Sequence, residues 1–291
     1  MGWKQRADLA TEVFGNMPVG LVGFQEFGRK DPENPEQRNS WNSLHRGHPE
    51  MDVYYGEEAG DIFINPIAFD PVRFELIERG TFWLSDDGSY KKGWDGVVEH
   101  GASWVLVLDR AMRRTFLHIN AHLDNKGIVA RAEGVRLILQ FAEGNFRSNR
   151  PLPTIITADS NVSVGSPQGT LGSPHQRWAD PEKRSWGDPD MRRPYDMMVK
   201  AGFTDTWIAA HPYDPNQGRV LGQLTSLRRP MTYHGFQGVD YRGDGWGTWD
   251  TEWIFVRGFK VLNSVLVKDN KGGIYPSDHY PMMALLDYES E

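Results

Sequence analysis

The amino-acid sequence predicts a single α/β domain organised around a β core. Short runs of apolar and β-branched residues, typical of buried strands, recur along most of the chain, whereas helical spacing is confined to a few segments. Polar side chains stand at the ends of several of these runs, and no linker, internal repeat or low-complexity segment divides the sequence. We therefore expect one domain over residues 1–291.

Composition and charge narrow the class of protein. The 291 residues are 39% hydrophobic and 24% charged, the balance of a globular domain with a sizeable core. A formal net charge of -7 argues against a broad electrostatic grip on a nucleic-acid backbone. No cysteine is available for disulfides or thiolate metal sites. The sequence has neither a signal-peptide core nor an apolar run of about 18 residues, so we expect a soluble monomer, cytoplasmic or secreted.

The chain opens with a predicted helix and a buried strand. Apolar spacing over residues 3–14 favours the helix, and Pro18 helps to end it. The apolar run Val19 to Phe24 predicts a strand that leads directly into Glu26. A charged residue at that point is either a cap facing water or a ligand, and the sequence alone favours the cap.

Further strands and one long helix are predicted before residue 150. The predicted elements, in order, are a surface helix with loops over 28–50, strands at 53–55, 62–69, 74–79, 103–109 and 115–120, and a helix over 128–146. Three arginines, Arg110, Arg113 and Arg114, lie in the turn between the last two strands. A solvated turn is the usual interpretation of such a cluster, and a phosphate grip is the alternative. His122 follows the second strand beside other polar residues, although a lone histidine is more often structural.

The stretch Thr154 to Val162 carries the clearest functional signal. Four small or branched residues predict a buried strand that turns polar at Asp159 and Asn161. Because side chains two apart on a strand point to the same face, these two would project together from the strand end. A carboxylate and an amide suit a hard cation such as Mg²⁺, or a bound phosphate. The alternative is an Asx turn, where Asp and Asn are common.

The C-terminal half repeats this pattern of polar residues beside strands. The predicted elements are an irregular loop over 163–194, a short helix at 195–201 capped by Gly202, a loop at 232–238, and strands at 249–256, 260–267 and 281–286. Glu252 lies within the first of these strands, and Asp278 and His279 precede the last. Since several separate strands deliver acidic, amide or histidine groups, a shared site at one edge of the β core is the simplest account.

These residues carry a resemblance to the endonuclease/exonuclease/phosphatase superfamily, the pancreatic-deoxyribonuclease-like fold. The matching motifs are Gln25-Glu26, Asn120-x-His122-Leu123-Asp124, Asp159-x-Asn161, Glu252-Trp253-Ile254-Phe255-Val256 and Ser277-Asp278-His279. They follow the family's order and span nearly the whole chain. The segments Gly80 to Ser85, Gly93-Trp94-Asp95 and Thr232-x-His234-Gly235-Phe236 further resemble a subgroup described only as metal-dependent hydrolases.

The resemblance implies a four-layer α/β sandwich of two packed, mostly antiparallel sheets flanked by helices. It also implies hydrolysis of phosphate esters with Mg²⁺ or Mn²⁺, by in-line attack of water. The implied metal residues are Glu26, Asp159, Asn161 and Asp278, and the implied catalytic residues are His122, Asp159, Asn161, Glu252 and His279. Glu26 would be the principal metal ligand and His122 a donor to a phosphate oxygen. His279 would be the general base or would stabilise the transition state.

Two departures from the family pattern stand out. The family pairs its base histidine with an Asp on the strand that here carries Glu252, one methylene longer, and Asp250 is the other candidate for the partner. The family's opening strand, which ends in an Asn at the metal site, has no counterpart before the helix near Trp3. We expect residues upstream of Met1 to encode it, the alternative being a complete chain with a narrower sheet.

The expected substrate is a phosphorylated small molecule or a nucleic acid. The negative net charge leans mildly against a processive or wide-footprint nuclease, and otherwise the two substrate classes stay open. A non-catalytic binding module on the same fold is the alternative function. The combination of Glu26, Asp159, Asn161, Asp278 and His279 favours the enzyme, because a module that only binds has no use for the whole set.

Overall fold

A computed structural model describes residues 3–27, 43–59, 62–144, 151–162, 189–212, 232–238 and 251–290. The helices are α1 (Trp3–Gly15), α2 (Ile128–Gly144), α3 (Pro189–Lys200) and α4 (Thr206–Ala210). The strands are β1 (Leu21–Gly23), β2 (Asp52–Tyr54), β3 (Glu58–Ala59), β4 (Ile62–Phe63), β5 (Ile67–Phe69), β6 (Phe74–Trp83), β7 (Gly101–Asp109), β8 (Arg114–His122), β9 (Thr154–Asp159), β10 (Thr204–Asp205), β11 (Glu252–Arg257), β12 (Phe259–Leu266) and β13 (Met282–Tyr288). Among these residues no helix is both long and apolar enough to cross a bilayer.

The largest sheet has six strands in the order β10-β11-β9-β8-β7-β6. Neighbouring strands run antiparallel except for β8 and β9, which are parallel and are connected through α2. A parallel pair needs such a crossover, because its second strand must start from the same edge as the first. The carboxyl ends of β8 and β9 therefore meet at one edge of the sheet.

The described elements form four layers. On one face of the six-stranded sheet, Leu117 and Ile119 pack with Val135 and Ile138 of α2. On the other face, Phe116 and its neighbours pack against a second layer of strands, composed of the sheet β1-β5-β2 and the pair β12-β13. Helix α1 covers that second layer, as the core formed around Val13 shows. The expected sandwich of two strand layers flanked by helices is confirmed.

Side chains on the inner face of the central strands change from apolar to polar along each strand. In the order in which they approach the polar edge, the inner-facing residues are Phe116, His118, Asn120 and His122 on β8, Ile155, Thr157 and Asp159 on β9, and Val256, Ile254 and Glu252 on β11. The apolar ends form the core between the layers. The polar ends consequently gather at one edge of the sandwich.

Several boundaries differ from those predicted by the sequence. The predicted strand 62–69 is two short strands, because Asn65 adopts a positive φ of 46° and breaks the run. The strand beginning at Phe74 continues to Trp83, and a bulge between Leu76 and Glu78 disturbs the alternation that would have revealed its length.

Helix α3 begins at Pro189, six residues before the predicted start at Tyr195. The charged residues that suggested a loop include Arg193, which lies exposed on this helix, while Tyr195 and Met198 are buried against the core. Burial of that apolar face stabilises the helix despite Pro194 within it. Gly202 adopts φ 81° and ends the helix as predicted. Most of the predicted loop 163–194, its part 163–188, lies outside the described residues.

Two of the three arginines of the β7–β8 turn, Arg110 and Arg114, make contacts within the protein. Arg110 donates to Glu75 and to the carbonyls of Pro71 and Val72. Arg114 donates to the carbonyl of Glu289 and lies over the ring of Tyr288. These contacts support the structural interpretation of the turn rather than a phosphate grip.

Candidate active site

Three of the predicted site residues form one row across adjacent strands. His122 ends β8, Asp159 ends β9 and Glu252 begins β11, and both His122 and Glu252 pair in register with Asp159. Residues paired in register project from the same face of a sheet. His122 Nε2 lies 3.6 Å from Asp159 Oδ2. Residues distant in sequence are thus held side by side by strand pairing alone.

His279 reaches this row from the second strand layer. Its Nδ1 hydrogen-bonds Oε1 of Glu252. Ligand atoms of Asp159, Glu252 and His279 all lie within 4.8 Å of one another. The glutamate, although longer than the family's aspartate, therefore spans the gap to the imidazole. Asp250, the other candidate partner, lies outside the described residues.

The surroundings of His279 favour its charged form. Burial by itself lowers the pKa of His279, but the charge and hydrogen bond of Glu252, together with the charges of Asp159 and Asp278, outweigh burial and raise the pKa to about 10. The ring of Tyr233 contacts that of His279, with 4.9 Å between their centroids, and the two residues also form an isolated β-bridge. The 232–238 loop thus packs directly against the histidine.

The surroundings of His122, on balance, disfavour its charged form. Burial lowers its pKa, and the nearby histidines His100 and His279 act in the same direction, whereas the carboxylates Asp159 and Glu26 oppose them. Nε2 of His122 lies 3.0 Å from Nδ2 of Asn161, which also donates to the carbonyl of Leu123 at 2.8 Å. Because an amide nitrogen can only donate, hydrogen-bond logic assigns Nε2 of His122 as an acceptor here. Donation from His122 to a phosphate stays a prediction.

Asn161 reaches the site through a turn and not through strand alternation. Strand β9 ends at Asp159, and Asn161 adopts a positive φ of 50°. Its backbone N–H donates to Asp159 Oδ1 at 3.1 Å, which forms an Asx turn. The two side chains do meet at His122, as expected, but the turn and not strand alternation brings Asn161 there. The sequence allowed an Asx turn as the alternative to a pair of ligands. In the structure this turn directs Asn161 toward His122.

Glu26 also has a backbone conformation that is unusual for its residue type. It follows β1 with φ 53°, and its side chain is exposed. Such left-handed conformations cost a non-glycine residue about 1–2 kcal/mol and concentrate at functional sites. The charge of Glu26 acts on the pKa of His122, which places the two within electrostatic reach. Its carboxylate is not one of the three groups that lie within 4.8 Å of each other.

Asp278 lies immediately before His279 in the chain. Its carbonyl accepts hydrogen bonds from the N–H groups of His234 and Gly235, at 2.7 and 3.2 Å. Its carboxylate acts electrostatically on His279 and on Arg6 of α1. Arg6 donates to the neighbouring carbonyl of Pro276. The segment that carries His279 is thereby held by α1 and by the 232–238 loop.

Two residues next to His122, His100 and Asp124, are not among the site residues predicted from the sequence. The rings of His100 and His122 lie 5.3 Å apart, and His100 Nε2 is 3.5 Å from Asp124 Oδ2. Burial raises the pKa of Asp124, but the nearby His100 and hydrogen bonds from backbone N–H groups dominate and hold it well below its usual range. Asp124 belongs to a recognised motif, whereas His100 gives no local signal. Only the pairing of β7 with β8 brings it to the site.

Solved structures show the same fold. An endonuclease/exonuclease/phosphatase from Bacteroides vulgatus aligns with a TM-score of 0.71 at 22% identity, over 99% of this chain and 92% of that chain. A mannosyl-6-phosphatase from Bacteroides thetaiotaomicron gives 0.68 at 22% identity, over 99% and 92%. TDP2 from D. rerio, complexed with a single-strand DNA product, gives 0.63 at 12% identity, over 99% and 93%.

The chain therefore has the fold of these endonuclease/exonuclease/phosphatase structures, which is the fold that the resemblance in the sequence implied. No protein-family model matches the chain, and no curated protein matches it significantly. The fold is therefore assigned from the similarity of the structures and not from overall sequence similarity.

Proposed function

We propose that the protein is a divalent-metal-dependent phosphoesterase of this superfamily. The observation that carries the proposal is the row of His122, Asp159 and Glu252 in register, with His279 hydrogen-bonded to Glu252 from the opposite layer. A cation-assisted hydrolase needs oxygen ligands next to a positioned proton donor or acceptor. This arrangement supplies both within one edge of the sandwich.

The donor atoms at this edge suit Mg²⁺ or Mn²⁺. Most of these donor atoms are carboxylate and amide oxygens, the ligands that hard cations prefer. The amide nitrogen of Asn161 donates to His122 and to the carbonyl of Leu123, so the amide oxygen is left for a ligand. We assign Glu26, Asp159 and Asn161 as the residues that would hold the ion, with Asp278 supporting them. When bound, the ion would neutralise phosphate oxygens and so favour attack by water.

The protein's own groups complete the chemistry. Glu252 fixes the imidazole of His279 through Nδ1, which leaves Nε2 as the nitrogen for the substrate. Because the surrounding carboxylates favour the imidazolium, His279 suits the stabilisation of developing negative charge. His122 and Asn161, joined to each other, would contact the phosphate from the other side of Asp159.

The proposal also concerns the class of phosphate ester that the protein hydrolyses. Two of the similar structures are a mannosyl-6-phosphatase and TDP2 complexed with a single-strand DNA product, so both a sugar-phosphate enzyme and a DNA-bound protein are represented among proteins of this fold. The net charge of -7 favours a small phosphorylated molecule over a long nucleic acid.

Turnover measurements test the proposal. Initial rates are measured on p-nitrophenyl phosphate and bis-p-nitrophenyl phosphate, with Mg²⁺, with Mn²⁺ and with excess chelator. We expect metal-dependent hydrolysis that Asp159→Asn lowers by about 10²-fold, the scale on which removal of one charge-stabilising group acts. Asp196→Asn removes an exposed carboxylate on α3 and is the matched control. Hydrolysis that persists with the chelator, or an Asp159→Asn variant as active as the control, would contradict the proposal.

A further inference from the structure

A second row of polar residues lies one step inside the row of His122, Asp159 and Glu252. Thr81, Ser103, Asn120 and Thr157 are paired in register across strands β6, β7, β8 and β9. Ser103 and Asn120 are fully buried. Polar side chains at such positions require partners, and these find them within the row or in the second strand layer. Their contacts show what each one holds in place.

The amide of Asn120 makes four hydrogen bonds. Nδ2 donates to the carbonyl of Phe24 at 2.8 Å and to that of Pro66 at 3.1 Å. Oδ1 accepts from Gln25 Nε2 at 2.6 Å and from Thr157 Oγ1 at 2.9 Å. This uses the whole donor and acceptor capacity of the side chain and fixes the orientation of its amide. Two of the four bonds go to Phe24 and Gln25, the residues immediately before Glu26.

The chain passes unusually close to Asn120 just before Glu26. A Cβ atom at Gly23 would lie 2.5 Å from Asn120 Oδ1 and 2.3 Å from Thr157 Oγ1, so a larger residue does not fit. Phe24 N–H donates to the same Pro66 carbonyl that Asn120 contacts, at 2.9 Å. Strand β1 is thereby pinned to β8 at its last residues.

Glu26 itself needs external support to keep its conformation. Its positive φ of 53° is a conformation that L side chains rarely adopt, and such conformations persist only when neighbouring contacts determine them. The bonds from Asn120 to Phe24 and Gln25 are contacts of this kind. An exposed side chain such as that of Glu26 has little packing of its own to fix its direction.

We propose that Asn120 is a positioning residue for Glu26, fixing the turn that presents this carboxylate to the metal ion. The inference rests on the proposed function, because it assigns Glu26 a ligand's task. Asn120 touches neither substrate nor metal. It acts through the backbone of Phe24 and the side chain of Gln25, and it links the predicted ligand on β1 to the strand that ends in His122.

Ser103 provides a matched control for a purely structural role. It lies beside Asn120 in the same row, is equally buried, and also bonds the second layer, through the carbonyl of Ile64. It makes no described bond to the segment 24–26. Loss of Ser103 should therefore weaken the contact between the layers without changing the position of Glu26.

The first test compares Mn²⁺ affinity by titration calorimetry in the wild type, Asn120→Asp, Gln25→Leu and Ser103→Ala. The aspartate keeps the shape of Asn120 but cannot donate to the two carbonyls. We expect its dissociation constant to rise about 10-fold or more, the usual effect of losing a group that orients a ligand. Gln25→Leu leaves the buried row intact, so it should fold normally and show a smaller rise. Ser103→Ala should lower the melting temperature without changing Mn²⁺ affinity. Unchanged affinity in Asn120→Asp and Gln25→Leu would overturn the proposal.

A metal-free measurement separates this proposal from the proposed function. Amide hydrogen exchange of the segment 23–27 is followed in the same variants without added metal. We expect faster exchange there in Asn120→Asp and Gln25→Leu, and wild-type exchange in Ser103→Ala. If the wild type binds no Mn²⁺, the proposed function is wrong, but the exchange result still tests whether Asn120 fixes the segment 23–27. Unchanged protection of this segment in both variants would show that Asn120 does not fix it.

Discussion

The carboxylate of Glu252 accepts a hydrogen bond from Nδ1 of His279 and so joins the first residue of β11 to the segment before β13. The two residues belong to different strand layers. The contact therefore depends on the packing of the sandwich as well as on its chemistry. A carboxylate that holds an imidazole in this way fixes its orientation and favours its protonated form.

Substitution of His279 should lower turnover more than substitution of Glu252. We expect His279→Ala to lower kcat by about 10²-fold or more, because a positioned proton donor or acceptor is lost. Steady-state kinetics on the better of the two nitrophenyl substrates measures this. The melting temperature, read alongside, shows that the variant is folded. Near-normal turnover in a folded variant would remove His279 from the mechanism.

Substitution of Glu252, the partner of His279, should lower turnover less. Glu252→Gln keeps a hydrogen-bond acceptor for Nδ1 but removes the charge, so we expect a loss of turnover smaller than that of His279→Ala. Asp250→Asn, made in parallel, tests the other candidate partner. A greater loss in Asp250→Asn than in Glu252→Gln would reassign the role to Asp250.

Metal binding should depend on Glu26. Calorimetric titration with Mn²⁺ should give clearly weaker binding for Glu26→Gln than for the wild type, because a neutral amide is a poorer ligand for a hard cation. Glu78→Gln, which neutralises an exposed carboxylate on β6, controls for the change of net charge. Equal affinity in the wild type and Glu26→Gln would exclude Glu26 as a ligand.

A buried histidine should make the fold sensitive to acid. Nε2 of His118 donates to Thr157 Oγ1 at 2.8 Å, since that hydroxyl already donates to Asn120. Nδ1 of His118 has no hydrogen-bond partner among the described residues. Burial lowers the pKa of His118 to about 3. A charged imidazolium is therefore excluded from this position over most of the acidic range.

The sign of the effect follows from the two protonation states. Between pH 6.5 and about 3 the unfolded chain binds a proton at His118 that the folded protein does not, so stability falls as pH falls through this window. At pH 4.5 the contribution is about 2–3 kcal/mol. Urea unfolding at pH 7 and pH 4.5 measures it. His118→Leu, which leaves Thr157 bonded to Asn120, should lose less stability between these pH values than the wild type. An equal loss in both proteins would refute the assignment.

The close approach of β1 should make Gly23 intolerant of substitution. Gly23→Ala places a Cβ within 2.3 Å of Thr157 Oγ1, so we expect a loss of about 1–3 kcal/mol from overpacking. Gly144→Ala, at the end of α2, meets no atom within 4 Å and is the control. It should be neutral or slightly stabilising. Chemical denaturation compares the two, and equal stability would show that β1 can move aside.

The sequence by itself determined the elements and the residue types of the site. Periodicity located most strands and the helices Trp3–Gly15 and Ile128–Gly144, because local apolar spacing encodes them. Polar residues after apolar runs identified Glu26, His122, Asp159 and Asn161 as candidates. The order of these motifs along the chain was sufficient to predict the fold.

Only the tertiary structure decided how these groups meet. The row of His122, Asp159 and Glu252 depends on a parallel pairing across α2 and an antiparallel pairing with β11, both set by contacts distant in sequence. The presence of His100 behind His122 depends on the register of β7. Beside the left-handed turns at Glu26 and Asn161, Gln25 bonds Asn120 of β8 and Asn161 bonds the carbonyl of Leu123 just after β8, and local propensity does not contain these distant contacts. Strand register and backbone strain are properties of the packed sandwich, and no single segment specifies them.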